Sequence, residues 1–216
     1  MNTVQQLIVM SIADRKEREK LEMRAKILDA AKRLFLDEGY SSVSLRRIAE
    51  SIEYSPSTIY LYFKDKDDIL FALHNLAFQE LYHRQRQNLQ IADPMDRLQA
   101  YLSTYLQFAL DNREYYDLMF IQYAPASKIK EKAEWRYGRR AYEALRDTIR
   151  QCQEAGYLKS VDPDVTAFGL WSYVHGLASL IIRHRLPMFS ANEREKLAKQ
   201  AMEMLNQMLE LSRGQI

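Results

Sequence analysis

The sequence predicts an all-α protein of about nine helices, and three observations predict it. Apolar residues recur at steps of three and four through most of the 216 residues, which is the period of one helix face. The six Gly and five Pro stand mostly where helices start and stop. No segment reads as a convincing strand.

The elements follow in order. A first helix is predicted over 17–38, with Ile27, Ala31, Leu34 and Phe35 on one face and Gly39 as its C-terminal cap. Ser44 caps a second helix with Leu45, Ile48, Ala49 and Ile52 inward. Ser55 caps a third, with Pro56 at the first position, where a missing N–H costs nothing; this helix ends near Phe63. Asp65 caps a fourth, running to about Leu89, and Asp67 and Asp68 in its first turn suit the helix dipole. Asp93-Pro94 opens a fifth through Tyr101, Tyr105 and Phe108, broken at Asn112. A short helix carries Tyr115, Tyr116, Met119 and Phe120, and Pro125 makes a turn. A long helix over 127–154 stops at Gly156. Asp162-Pro163 repeats the cap-and-proline start for a helix ending before Pro187. Ser190 with Glu193 forms a capping box for the last one.

Composition is that of a globular protein, 47% hydrophobic and 28% charged. The net charge is +2, and residues 1–70 hold 12 Lys and Arg against 12 Asp and Glu. Nucleic-acid binding must therefore rest on where residues stand, not on bulk charge. Cys152 is the only cysteine, so an intrachain disulfide and a multi-cysteine metal site are excluded, which fits a reducing, cytoplasmic setting. No apolar run reaches the ~18 residues of a membrane helix, and no membrane partner is expected. Residues 1–19 are expected to be a disordered leader, with Met10 an alternative start; "LIVM" at 7–10 is too short for a signal core.

The second and third helices are joined by a three-residue turn and have helix-turn-helix dimensions. With Ile59 at zero and 100° per residue, Phe63, Pro56 and Tyr62 fall on the inward side. Ser57 and Leu61 lie opposite, and Thr58 and Tyr60 take the flanks. An outward leucine and small hydroxyls suit contact with thymine methyls and base edges, and the flank hydroxyls suit phosphates. Arg46, Arg47, Lys64 and Lys66 bracket the helix as phosphate candidates. The alternative is that the tyrosines only pack three small helices together, as aromatic stripes often do.

The run "ILDAAKRLFLDEGYSSVSLRRIAESIEYSPSTIYLYFKDKDDIL" resembles the DNA-binding domain of TetR-family transcriptional regulators. It carries the Ala-Ala-x-x-Leu-Phe of the first helix, Gly39, Ile48-Ala49, Ser55, Thr58-x-Tyr60, Phe63, Lys66 and Ile69-Leu70 at the family's spacing. The resemblance implies backbone contacts from Ser44, Arg46, Ser55, Thr58, Tyr60, Tyr62 and Lys66, and base reading by Ser57 and Leu61. Arg47 and Pro56 complete the candidate DNA surface. Two positions depart. The family's turn glycine is Glu53 here, at a cost of ~1 kcal/mol if left-handed, and its histidine before Phe63 is Tyr62.

The remaining two-thirds holds no catalytic constellation, no phosphate-binding glycine loop and no metal-spaced His/Glu pair. Neither an enzymatic activity nor a cofactor or metal is expected. Its rings are more than a small bundle needs, and each is either core or the wall of a ligand cavity. The cavity candidates are Tyr101, Tyr105, Phe108, Tyr116, Phe120, Trp135, Tyr142, Trp171 and His175. The helix from 163 is apolar on nearly all faces, and the last helix is amphipathic. Trp171, Val174, Leu177, Ile181, Leu197, Ala201, Met204, Leu205 and Met208 are the candidates for a symmetric dimer interface. "LWSYVHGLASL" at 170–180 resembles TetR-type C-terminal domains with a Trp-x-x-x-His-Gly motif, which implies ligand sensing and dimerisation.

The expected organisation is a leader at 1–19, a helix-turn-helix DNA-binding domain at 20–66, and a ligand-sensing and dimerisation domain at 67–216. The expected function is a homodimeric repressor released from a palindromic DNA operator by a small hydrophobic effector. An activator of the same family, a helical enzyme and an interaction scaffold are the alternatives.

Overall fold

Capping chemistry places most of the helix starts. The computed structural model describes residues 12–120, 135–158 and 161–214, and the readings at Met10, Pro125 and Ser127 lie outside them. Among the described residues there are nine α-helices and no strand: α1 (Ile12–Asp37), α2 (Leu45–Ser51), α3 (Pro56–Tyr60), α4 (Lys66–Arg86), α5 (Pro94–Asp111), α6 (Arg113–Phe120), α7 (Arg136–Glu154), α8 (Pro163–Ile182) and α9 (Ala191–Glu210). Asp93 accepts from the backbone N–H of Met95 and Asp96, and Asp162 from those of Asp164 and Val165. Ser190 and Glu193 form the reciprocal capping box. Ser44 Oγ accepts from Arg47 N at 3.1 Å. Ser55 corrects the pattern: its hydroxyl meets those of Ser57 (2.6 Å) and Thr58 (3.2 Å) and makes no cap bond to the backbone.

The helix ends are equally local. Glu53 has φ 62°, and its N–H reaches Glu50 O while Tyr54 N–H reaches Ala49 O. This is the left-handed helix stop that favours glycine. The same bond pair closes α7 at Gly156 (φ 85°) and α8 at His184 (φ 51°).

Two compact units result, one ending at Leu73 and the other starting at His74. The division falls inside α4, seven residues beyond the expected boundary at 66/67. The start of α4 belongs to the first unit because Tyr40 donates its hydroxyl hydrogen bond to Asp67, and Lys66 Nζ donates to Tyr40 O at 2.7 Å. A second correction concerns the leader: α1 begins at Ile12, so residues 12–19 are helical. Asp14 in the first turn and the i,i+4 pairs Arg15–Glu19 and Arg18–Glu22 favour that extension.

In the first unit Ile27, Ala31, Ile48, Ala49 and Ile59 are fully buried. In the second, α5, α7 and α8 pack against one another, α9 packs on α5 and α8, and α6 packs on α5. Their common core includes Leu98, Leu102, Ile149, Cys152 and Ala167.

Candidate functional site

The outer face of α3 is built by closing its inner one. Ile59 and Phe63 are buried, and the Arg24 guanidinium lies 4.2 Å over the Phe63 ring while donating to Tyr62 O at 3.2 Å. The helix is little more than one turn, so this suffices to lock it. Leu61 is then 78% exposed and Tyr60 60% exposed. Ser55 and Ser57 are also exposed, and Thr58 and Tyr62 are half-buried. Pro56 corrects the wheel: it was expected inward and is exposed, because so short a helix encloses only its centre. Tyr54 lies at the turn, its ring 4.8 Å from Lys26 Nζ.

Of the basic residues that bracket α3, Arg46, Arg47 and Lys66 are partnered, and Lys64 is exposed. Arg46 pairs with Glu50 at 2.8 Å and Arg47 with Glu38 at 2.7 Å. Such exposed pairs contribute little to stability, and a phosphate can take the place of either carboxylate. Lys66 is held on the Tyr40 carbonyl, 4.3 Å from that ring's centroid.

The second unit contains a cavity of ≈ 70 Å³. Of the nine candidates from sequence, Tyr101, Tyr105, Phe120, Trp135, Tyr142 and Trp171 line it. Phe108 does not; it is core, under the Arg84 guanidinium. Tyr116 and His175 stand behind the wall, stacked at 5.3 Å, with Phe120 edge-on to His175 at 4.9 Å. Tyr105 and Tyr116 hydroxyls lie 3.0 and 3.1 Å from His175 Nδ1. Burial holds His175 below its ordinary pKa of 6.5, so the ring is neutral at pH 7. Burial also raises the phenols of Tyr101 and Tyr105, and pushes Tyr116 up to about 12. Phe78, Leu81 and Gln85 on α4, and Gly138, Ala141 and Leu145 on α7, complete most of the wall. Sequence reasoning missed them. Their signal is the three- and four-residue step along each helix, which looks the same for core and for cavity.

Two sequence profiles match the chain. "Bacterial regulatory proteins, tetR family" covers residues 27–73. "Tetracyclin repressor-like, C-terminal domain" covers residues 98–205, half of the chain. The chain belongs to the TetR family.

The TetR-family relatives include the HTH-type transcriptional regulator HbdR of Aromatoleum sp. (strain CIB), 27% identical over 73% of this chain and 69% of that one. AcrR of Shigella flexneri is 29% identical over 68% and 72%. Among solved structures, the fatty acid degradation regulator FadR from Bacillus halodurans aligns with a TM-score of 0.67 at 18% identity, over 84% of this chain and 93% of that one. AibR in complex with isovaleryl coenzyme A and operator DNA aligns at 0.61 and 20%, over 84% and 96%. The protein is thus a DNA-binding transcriptional regulator of the TetR type, and the all-α reading and the family resemblance of its sequence both hold.

This TetR-family chain also carries a bare apolar face. Val165, Phe168 and Leu180 on α8, and Leu197, Met204 and Met208 on α9, are exposed. α8 also corrects the reading of apolar runs: it is long and apolar enough to cross a membrane by length and composition alone, a test that core helices also pass, with 22% of that span buried. Val174 and Leu205 correct the interface set, because both lie in the protomer's own core. Trp171 lines the cavity, and Leu177, Ile181 and Ala201 are half-buried. Val165, Phe168 and Leu180 were absent from the set, since an all-round apolar helix does not say which side its own chain covers.

Proposed function

We propose that this TetR-family regulator is a homodimeric, cytoplasmic repressor that an uncharged hydrophobic effector releases from a palindromic operator. The observation that carries this reading is the outer face of α3. Exposed Ser57 and Leu61 would read base edges in the major groove. Thr58, Tyr60, Tyr62, Ser44 and Ser55 would contact the backbone, with Arg46 and Arg47 exchanging their carboxylates for phosphates. Lys66 would act indirectly, by holding the Tyr40 carbonyl and the start of α4.

The exposed face of α8 and α9 supports a dimer through that face, which would set the spacing of two reading heads. The apolar cavity supports a hydrophobic effector. AibR, a protein of the same fold, was crystallised with an acyl thioester and operator DNA together, so this fold accommodates both. A ≈ 70 Å³ space is smaller than the ~150 Å³ apolar cavity that takes up benzene. Binding therefore pushes its walls apart. One wall is the C-terminal half of α4, whose N-terminal turns belong to the DNA-binding unit. An effector shifts the equilibrium only by its differential affinity for the two arrangements. A coupling of ~2 kcal/mol would weaken operator binding about thirtyfold. No catalytic role is assigned.

The test is Thr58→Val with Tyr60→Phe, which removes two hydroxyls and no packing. Loss of binding to DNA from upstream of the protein's gene, with circular dichroism unchanged, supports the reading. Unchanged affinity contradicts the backbone roles of these residues.

A further inference from the structure

Two polar atoms on residues of the mainly apolar cavity wall have no hydrogen-bond partner among the described residues. One is the side-chain oxygen of Gln85, on a residue only 3% exposed. The other is the indole Nε1 of Trp135, also shielded from water. Both residues line the cavity. The three phenols of the wall are occupied. Tyr101 donates to Ala141 O at 2.7 Å, Tyr142 donates to Asp164 Oδ1 at 3.1 Å, and the Tyr105 hydroxyl lies 3.0 Å from His175 Nδ1.

A buried amide left unsatisfied costs on the order of 1–3 kcal/mol, and a well-packed core avoids it. Gln85 stands one turn from Leu81 and two turns from Phe78. Leucine or methionine would fill its position with no such cost. The fold nevertheless puts an acceptor (Gln85 Oε1) and an obligate donor (the indole N–H) on two residues of one apolar wall, both atoms covered until that wall opens. Turned over, the amide offers N–H instead, so a group that both donates and accepts answers either orientation. Among the described residues no charged side chain lines the cavity, so an anion would meet no counter-charge from them and pay a large desolvation cost.

We propose that the effector of this cavity is a compact, uncharged, mainly aromatic or aliphatic molecule bearing a hydroxyl or similar donor–acceptor group, and that Gln85 and Trp135 determine its specificity by hydrogen-bonding that group. This rests on the effector reading above and sharpens it. A hydrophobe without the polar group leaves both atoms unpaired, and such a site discriminates strongly against it.

The experiment is calorimetry on the whole chain with three single-ring probes at pH 7: phenol, toluene and benzoate. Phenol is expected to bind at least tenfold more tightly than toluene, with no measurable heat from benzoate. Gln85→Leu should abolish the preference for phenol while leaving toluene affinity unchanged or improved. It should also raise the melting temperature of the unliganded protein, since the unpaired amide is gone. Trp135→Phe, which keeps the ring and removes the N–H, should weaken phenol alone, and it serves equally if Gln85→Leu does not fold. Equal affinity for toluene and phenol, tight benzoate binding, or a preference for phenol that survives both variants would overturn the proposal and leave the effector cavity standing. No binding of any probe would remove the effector reading together with it.

Discussion

The outer face of α3 and the cavity of the second unit are built on opposite principles. On α3 the informative residues are exposed, contiguous in sequence, and held by two buried ones, Ile59 and Phe63. In the cavity the informative residues are enclosed and come from five helices, and even the polar ones are mostly partnered within the protein. On the proposed reading the first region would meet a partner from outside, so its chemistry adds little to folding. The second would meet one from inside, so nearly every wall residue also belongs to the core. Substitutions in the two regions should therefore separate function from stability.

The largest separation is between two leucines. Leu145→Ala removes a 5% exposed wall and core side chain and should cost ~2–5 kcal/mol in a denaturant titration. Leu61→Ala, on a side chain left in water, should change stability by less than ~0.5 kcal/mol. Equal losses would erase the contrast. Next in size is the apolar face of α8 and α9. Phe168→Glu should weaken self-association about a hundredfold in sedimentation equilibrium, an effect of the size of an interface hot spot. A wild-type protein that sediments only at 25.5 kDa at micromolar concentration would remove the dimer itself.

A smaller effect sharpens the picture of the helix-turn-helix. Glu53 holds a left-handed conformation at φ 62° with an exposed side chain. Glu53→Gly should raise stability by ~0.5–1 kcal/mol in the same titration. Destabilisation would mean that Glu53 makes a contribution beyond its backbone.

The smallest effect is the pH dependence of the cavity's rear wall. The folded-state pKa of His175 is depressed by burial below 6.5. As pH falls, the unfolded chain takes up this proton first. The stabilisation is complete above pH 6.5 and is lost as pH drops through the folded value. Melting temperatures between pH 7.5 and 5.5 should fall less for His175→Gln than for the wild type. Parallel curves would mean that the ring is already free to protonate in the fold.

The same contrast explains what the sequence disclosed. Helix starts at Ser44, Asp65, Asp93, Asp162 and Ser190, and stops at Gly39 and Gly156, depend on one residue and its neighbours, so they were legible. The α3 face was legible because a single turn fixes which side is out, although the wheel misplaced Pro56 at the frayed end. The start of α1 was not, because its extension rests on exposed ion pairs rather than an apolar stripe. The cavity was half legible. Aromatic rings announced six wall residues, but Phe78, Leu81, Gln85 and Leu145 look like core until the helices are assembled. The same limit placed Val174 and Leu205 on an interface when they belong to the protomer's own interior, and overlooked Phe168.

The most direct test of the account is a fluorescence anisotropy titration of wild type and Leu61→Ala. Each would be titrated on a duplex selected from a random-sequence pool and on its scrambled counterpart, at two salt concentrations. If α3 reads bases while its flanks hold phosphates, Leu61→Ala loses about tenfold on the selected duplex. It should lose nothing on the scrambled one, and its salt dependence should be unchanged. Equal loss on both duplexes, or no loss on either, would contradict the assignment of α3 as the reading surface.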